Sequence, residues 1–213
     1  MGMYSGLASY VCYKVNGDLP ANLNEAILTK LKEFSFQESD QTIPREKSIG
    51  WVSAENMASI FFDDLHFSKG PYLVFSLRID TRKVPPLAFK AALLKEELKF
   101  KGATGKERLS IKEKEKLKDQ VKSSLMKRSL PAPALYDVCW NTATGMLIFF
   151  STSKTANAEF MDFFCASFEL SLTPLSPFER AQMLIEKHGG KIKIEKLSKP
   201  AAGFDWSAIK KAV

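Results

Sequence analysis

Cysteine, histidine and long apolar runs are all scarce in this chain, and each scarcity excludes a class of protein. The three cysteines, Cys12, Cys139 and Cys165, lie far apart among apolar neighbours, so we expect small core residues rather than a disulfide framework or a zinc finger. Two histidines leave almost no material for a catalytic triad. No apolar run approaches the ~20 residues that span a bilayer, and the amino terminus lacks the pattern of a secretory signal. We therefore expect a reduced, cytoplasmic protein without a membrane partner.

The composition is that of a globular protein with a basic excess. Of its 213 residues, 45% are hydrophobic, and 31 Lys and Arg stand against 24 Asp and Glu, for a formal net charge of +7. This length can bury a sizeable core, and the charge favours polyanionic partners. Because no Gly/Ser or Pro linker divides the chain, we expect one α+β domain over residues 1–175 and a short helical extension over residues 176–213.

Hydrophobic periodicity predicts strands and helices that are interspersed without regular βαβ alternation. The predicted strands are 5–15, 48–52, 72–79, 135–140, 146–150 and 170–173, and the predicted helices are 22–34, 86–102, 110–128, 155–168 and 177–188. A turn at 141–145 predicts a hairpin, and Ser110 with Glu113 predicts a capping box. We expect an α+β fold with mostly antiparallel sheet, packed helices and a protruding basic helical hairpin.

The basic excess lies entirely in one segment, a helical arm at residues 82–130. Between Arg82 and Arg128 there are 15 Lys and Arg and 6 Asp and Glu, a net of +9, and the rest of the chain has a net of −2. A solvated helix face with alternating ion pairs would leave the segment near neutral, so the excess favours sequence-independent binding to duplex phosphates. Helical spacing puts Ile111, Leu117, Val121 and Leu125 on a packing stripe. The candidate phosphate contacts are Lys106, Arg108, Lys112, Lys116 and Lys122, with Lys127 and Arg128 flanking them and Arg82 and Lys83 at the entry of the arm.

Two other classes of function are open. A metal-dependent nuclease would need converging carboxylates, and its best candidates are Asp63, Asp64, His66 and Asp80. Their spacing matches no metal-binding motif. A structural role is therefore favoured, with Asp63 and Asp64 in a surface turn and Asp80 at a strand end. A protein-interaction module is the third class, because Phe160, Phe163, Phe164 and Cys165 nearly encircle one helix, which predicts burial either in the core or at a subunit contact. The loop at 102–106 lacks the spacing of a phosphate loop, so no nucleotide cofactor is expected.

Several segments, in order, resemble the bacterial recombination-associated RdgC proteins. They are Gly-Trp-Val at 50–52, a strand leading through Leu-Arg and Arg-Lys into Pro-Pro at 73–86, a basic helix start at 105–118, Leu-Pro at 130–131 and Ser-Leu-Thr-Pro-Leu at 171–175. The resemblance covers roughly residues 5–176, and it rests on the order and spacing of these segments together.

The resemblance implies a non-sequence-specific, nucleoid-associated double-stranded DNA-binding protein. Since no catalytic or nucleotide-binding motif is present, we expect it to act without catalysis or a cofactor. It further implies a homodimer that closes into a ring around duplex DNA and restrains strand exchange promoted by RecA. Family members continue beyond the Pro-Leu motif into a second α+β portion that helps to close the ring. We therefore expect this chain to be a short form that dimerises without the ring contacts of that portion.

Overall fold

A computed structural model describes residue 3 and residues 8–20, 22–38, 45–56, 58–62, 67–105, 108–176, 178–180 and 185. The strands are β1 (Val11–Asn16), β2 (Lys47–Val52), β3 (Ser68–Lys69), β4 (Tyr72–Thr81), β5 (Ala132–Asn141), β6 (Met146–Phe149) and β7 (Ser171–Pro174). The helices are α1 (Leu23–Glu33), α2 (Pro86–Thr104), α3 (Ile111–Arg128) and α4 (Lys154–Phe168).

Within the described residues, all seven strands join one antiparallel sheet. Its order is β2-β4-β5-β6-β1-β7, with the short β3 also paired to β4. The long strands β4 and β5 form its centre, in a register that places Tyr72 opposite Asn141 and Thr81 opposite Ala132. The predicted α+β class with antiparallel sheet is therefore confirmed, as is the hairpin between β5 and β6, whose turn ends at Gly145 with a φ of 67°.

The core lies between one face of this sheet and the helices α1 and α4. Aromatic side chains dominate it, and those of each strand reach it together because alternate strand residues point to the same face. The Phe149 ring stacks on Phe160 of α4 at a centroid distance of 4.1 Å, and Trp140 packs edge-on against Phe164 at 5.7 Å. Trp51 of β2 is fully buried. It keeps its polar group satisfied by donating from Nε1 to Ser167 Oγ at 3.0 Å.

The helices α2 and α3 lie apart from that core and have each other as their principal packing partner. α2 leaves the end of β4 with Pro86 at its first turn and contains no buried residue. α3 buries Leu117, Val121 and Met126. The two helices are connected in sequence to the two central strands, since β4 precedes α2 and β5 follows α3.

Three local expectations are corrected by the structure. Ile111 is exposed rather than part of the packing stripe of α3, and Cys165 is exposed on α4 rather than in the core. The helix α2 continues through Gly102 to Thr104, so most of the predicted loop at 102–106 is helical. The start of the predicted first strand at 5–7 and most of the predicted helix at 177–188 lie outside the described residues. The boundary at residue 175 stays a prediction.

Candidate nucleic-acid interface

The paired helices α2 and α3 begin and end at defined capping residues. Gly105 ends α2 in the left-handed conformation, with a φ of 66°. The predicted capping box opens α3: the Ser110 backbone N–H donates to Glu113 Oε2 at 2.9 Å, and the Glu113 N–H donates to Ser110 Oγ at 3.3 Å. At the other end, Ser129 Oγ donates to the backbone carbonyl of Lys83 at 3.1 Å, which joins the exit of α3 to the entry of α2.

Three of the candidate phosphate contacts lie on one outward stripe of α3. Because successive helical residues turn by ~100°, Lys112, Lys116 and Lys127 fall within about 60° of each other and lie about 80–180° from the buried Leu117 and Val121. The buried Met126 and the exposed Asp119 lie next to this stripe. All three lysines are exposed, and none forms an ion pair with another described residue. From the first to the third lysine the stripe is about 22 Å long. This arrangement gives a row of free cations along a ridge.

Lys122 has a different environment from that stripe. Its Nζ lies 2.6 Å from Glu46 Oε1, in the segment that leads into β2. The hydrogen bond between them raises the pKa of Lys122 and lowers that of Glu46. The backbone carbonyl of Glu46 also accepts the N–H of Arg82 at 2.8 Å. Both side chains of this ion pair are more than half exposed, and a phosphate would have to compete with Glu46 for Lys122.

The remaining candidates of the arm are placed unequally. Lys83 and Arg108 are exposed, whereas Arg82 is half-buried and its Nε has no hydrogen-bond partner among the described residues. Arg128 lines a groove of 530 Å³ between α2 and α3. Lys106 lies outside the described residues.

Two lysines of α2 line the groove beside Arg128, and neither was among the phosphate contacts predicted from the sequence. Lys95 and Lys99 line it together with Gln120 and Ser124 of α3. Lys99 donates to Glu96 at 2.6 Å. The charge count of the arm includes both lysines, but only the helical pairing shows that they share a surface with Arg128.

The nuclease candidates are not assembled by the described part of the chain. Asp80 lies near the end of β4, and both its carboxylate oxygens accept from Arg78, at 2.8 Å from Nε and 2.8 Å from Nη2. A metal ion would have to displace that guanidinium. Asp63, Asp64 and His66 lie outside the described residues, and the described residues contain no cluster of three or more His, Cys, Asp or Glu that could hold a metal.

The aromatic residues of α4 serve the core. Phe160 and Phe164 are fully buried, and the half-buried Phe163 packs on Trp51 at a centroid distance of 5.0 Å. Phe160 and Phe164 therefore belong to the core rather than to a subunit contact. Cys12 is buried and Cys139 is half-buried, as expected of small core residues, and burial raises the pKa of Cys139.

Comparison with known proteins adds one finding. The chain matches the family model described as "RdgC: Putative exonuclease, RdgC" over residues 8–186, a range that contains the whole sheet and both helices of the arm. No curated protein matches the chain significantly. Among the described residues no helix is long and apolar enough to cross a membrane.

Proposed function

Because the chain belongs to the RdgC family, which supports a role related to recombination, we propose that it binds double-stranded DNA without sequence preference through α2 and α3. The observation that carries this proposal is the stripe of Lys112, Lys116 and Lys127. These cations are exposed on one ridge of a segment with a net charge of +9. Phosphate contacts require exposed cations at intervals and no acid-base chemistry.

The proposal has finer parts that follow the family resemblance. The chain forms a homodimer, associates with the nucleoid in the cytoplasm, and restrains RecA-promoted strand exchange by covering the duplex, as a ring if the dimer closes. Restraint of this kind needs only occupancy of DNA. It is tested by adding the protein to a strand-exchange reaction, where a variant that lacks Lys112, Lys116 and Lys127 should fail to inhibit.

The binding surface is tested by a triple variant, Lys112→Ala, Lys116→Ala and Lys127→Ala. Each lost phosphate contact removes about 0.9 log unit of affinity at 0.1 M salt, so three lost contacts should weaken binding to a short duplex by roughly two orders of magnitude or more. The control replaces three exposed lysines outside the arm, Lys14, Lys32 and Lys154.

The control variant loses the same net charge, and it separates the arm from the overall charge of the protein. If the two triple variants bind duplex equally well, the assignment of the site to α3 is wrong. Circular dichroism establishes that both variants keep their helices. Duplexes of unrelated sequence should bind the unaltered protein with the same affinity.

A nuclease is a second candidate, because the matching family description names an exonuclease. Of its candidate ligands, Asp80 is the one that the structure describes, and it is held by Arg78. Incubation of linear and supercoiled DNA with Mg²⁺ or Mn²⁺ tests this function. Cleavage that is lost on Asp64→Ala or Asp80→Ala would support it.

A further inference from the structure

The groove between α2 and α3 runs along one flank of the arm. Its volume of 530 Å³ is within the range of about 300–1,000 Å³ that ligand pockets occupy. Along α3 its lining extends from Leu117 to Arg128, a rise of about 16 Å or three helical turns. Its lining residues Lys95, Ser124 and Arg128 are exposed, so the groove opens to solvent.

The floor of this groove is aliphatic. Leu117 and Val121 of α3 are buried, and Ala92 of α2 and Leu125 of α3 are half-buried. The three α3 residues are spaced by four positions and lie along one face of the helix. None of the described lining residues is aromatic. The floor can therefore hold aliphatic side chains of a ligand, but it offers no ring on which a nucleobase would stack.

The rim of the groove is cationic. Lys95 and Lys99 lie on the wall formed by α2, and Arg128 lies on the wall formed by α3. Neither Lys95 nor Arg128 forms an ion pair with another described residue. Lys99 pairs with Glu96 at 2.6 Å, but both side chains are well exposed, and such a pair is weak. Three cations against one carboxylate favour a ligand of negative charge.

The groove is separate from the other two exposed surfaces of the arm. At ~100° per residue, its α3 residues centre about 120° from the lysine stripe to which DNA binding is assigned. Its α2 residues centre about 130° from the exposed side chains of Leu87, Leu94 and Leu98. A ligand in the groove therefore leaves the lysine stripe accessible to duplex DNA.

We propose that this groove binds a segment of another protein, an amphipathic helix with aliphatic residues on one face and acidic residues beside them. A third helix laid between two packed helices places residues i, i+3 or i+4 and i+7 on the aliphatic floor. Its flanking carboxylates then meet Lys95 and Lys99 on one side and Arg128 on the other. The Gln120 amide and the Ser124 hydroxyl supply polar partners in the same groove. This site goes beyond DNA binding, because the arm then holds a protein partner and a duplex on different faces.

A synthetic helix serves as the probe for this site. It has about 15 residues, or ~22 Å, with leucines at every third or fourth position, glutamates beside them and a fluorescent label. Its anisotropy should rise and saturate as the full-length chain is added. Replacing the glutamates by lysines, or the leucines by serines, should each weaken binding at least tenfold, because the rim and the floor both contribute.

The rim is tested by Lys95→Glu with Lys99→Glu, which should weaken binding of the probe tenfold or more. The matched control is Lys90→Glu with Lys101→Glu. It changes the net charge equally on the same helix, but these residues lie about 180° round α2 from the groove. The control should bind the probe about as well as the unaltered protein, and thermal melts verify that both variants fold.

The floor is tested by Ser124→Trp, which fills the groove without changing the charge. Ser124 is exposed, so the core is unaffected, and binding of the probe should be lost. Amide chemical shifts of the full-length chain locate the probe, and its changes should cluster at residues 92–99 and 117–128. A probe that does not saturate, that binds the rim variant and its control alike, or that keeps its affinity for Ser124→Trp would overturn the proposal.

DNA binding is measured separately with a short duplex. Ser124→Trp keeps every lysine of α3 and should bind the duplex with an unchanged salt dependence. If Ser124→Trp weakens DNA binding and the unaltered chain does not bind the probe, the groove belongs to nucleic acid and the proposal is overturned. If the unaltered chain binds the probe but no DNA, the proposed function fails and the peptide site is supported.

Discussion

Replacing Gly50 with alanine should lower the free energy of unfolding substantially, although the change adds a single methyl group. Gly50 lies in β2 opposite Arg78 of β4. A β-carbon at this position would lie 2.3 Å from the Cα of Phe36 and 2.6 Å from its backbone nitrogen, where 3.4–4 Å is an ordinary contact. The obstacle is main chain rather than the end of a flexible side chain. The segment that contains Phe36 must therefore move by about 1 Å or more.

The cost of that movement follows from the bonds it breaks. Phe36 donates its N–H to the Trp51 carbonyl at 2.9 Å, and Trp51 donates to the Phe34 carbonyl at 3.0 Å. Two lost hydrogen bonds cost about 1 kcal/mol each, and overpacking costs about 1–3 kcal/mol. We expect a loss of about 3–5 kcal/mol in the free energy of unfolding. The Arg78 guanidinium also stacks on the Phe36 ring at 4.2 Å, and this contact should weaken as well.

Urea denaturation followed by tryptophan fluorescence measures this loss. With a slope of about 2 kcal/mol/M, the midpoint should fall by about 1.5–2.5 M. Gly102→Ala is the matched control, because Gly102 is helical in α2 and has nothing within 4 Å of its added β-carbon. That change should stabilise α2 by about 0.5–1 kcal/mol. A Gly50→Ala midpoint equal to that of the unaltered protein would refute the packing argument.

Three further outcomes are expected. Burial raises the pKa of Tyr13 from 10.0 to about 12. The stability that its neutral phenol contributes is therefore complete below pH 10 and is lost as the pH rises through about 12. An ultraviolet titration of the folded and the urea-unfolded protein measures both pKa values. Glu46→Gln should make Lys122 available to DNA, so the slope of log affinity against log salt should steepen by up to about 0.9. Glu159→Gln breaks an ion pair outside the arm and should leave this slope nearly unchanged. Ser110→Ala should cost about 0.5–2 kcal/mol of stability at the start of α3, seen as faster amide hydrogen exchange there.

Features whose causes are local in sequence could be predicted. The capping box of Ser110 and Glu113 spans three residues, so the residue types alone predict it, and the structure confirms it. The extent of α2 was harder to predict, because Gly102 is a signal for a helix end. Here the helix continues through it and accepts a cost of about 1 kcal/mol relative to alanine.

Features that depend on distant residues could not be predicted. The sequence predicts Lys122 to be one more free cation of the basic helix. Only the fold brings Glu46 Oε1 to 2.6 Å from Lys122 Nζ. The leucines of α2 show the correct helical period, but periodicity does not say what covers them. The phenylalanines of α4 indicate burial, and the choice of core over interface needed the sheet that carries Trp140 and Phe149.

The central claim is that exposed lysines of α3 hold duplex phosphates, and the slope of log affinity against log salt tests it most directly. Each phosphate contact contributes about 0.9 to that slope. Removing Lys112, Lys116 and Lys127 together should therefore lower the slope by about 2.7 relative to the unaltered protein, whatever the DNA sequence. A slope that the triple variant leaves unchanged would contradict the account.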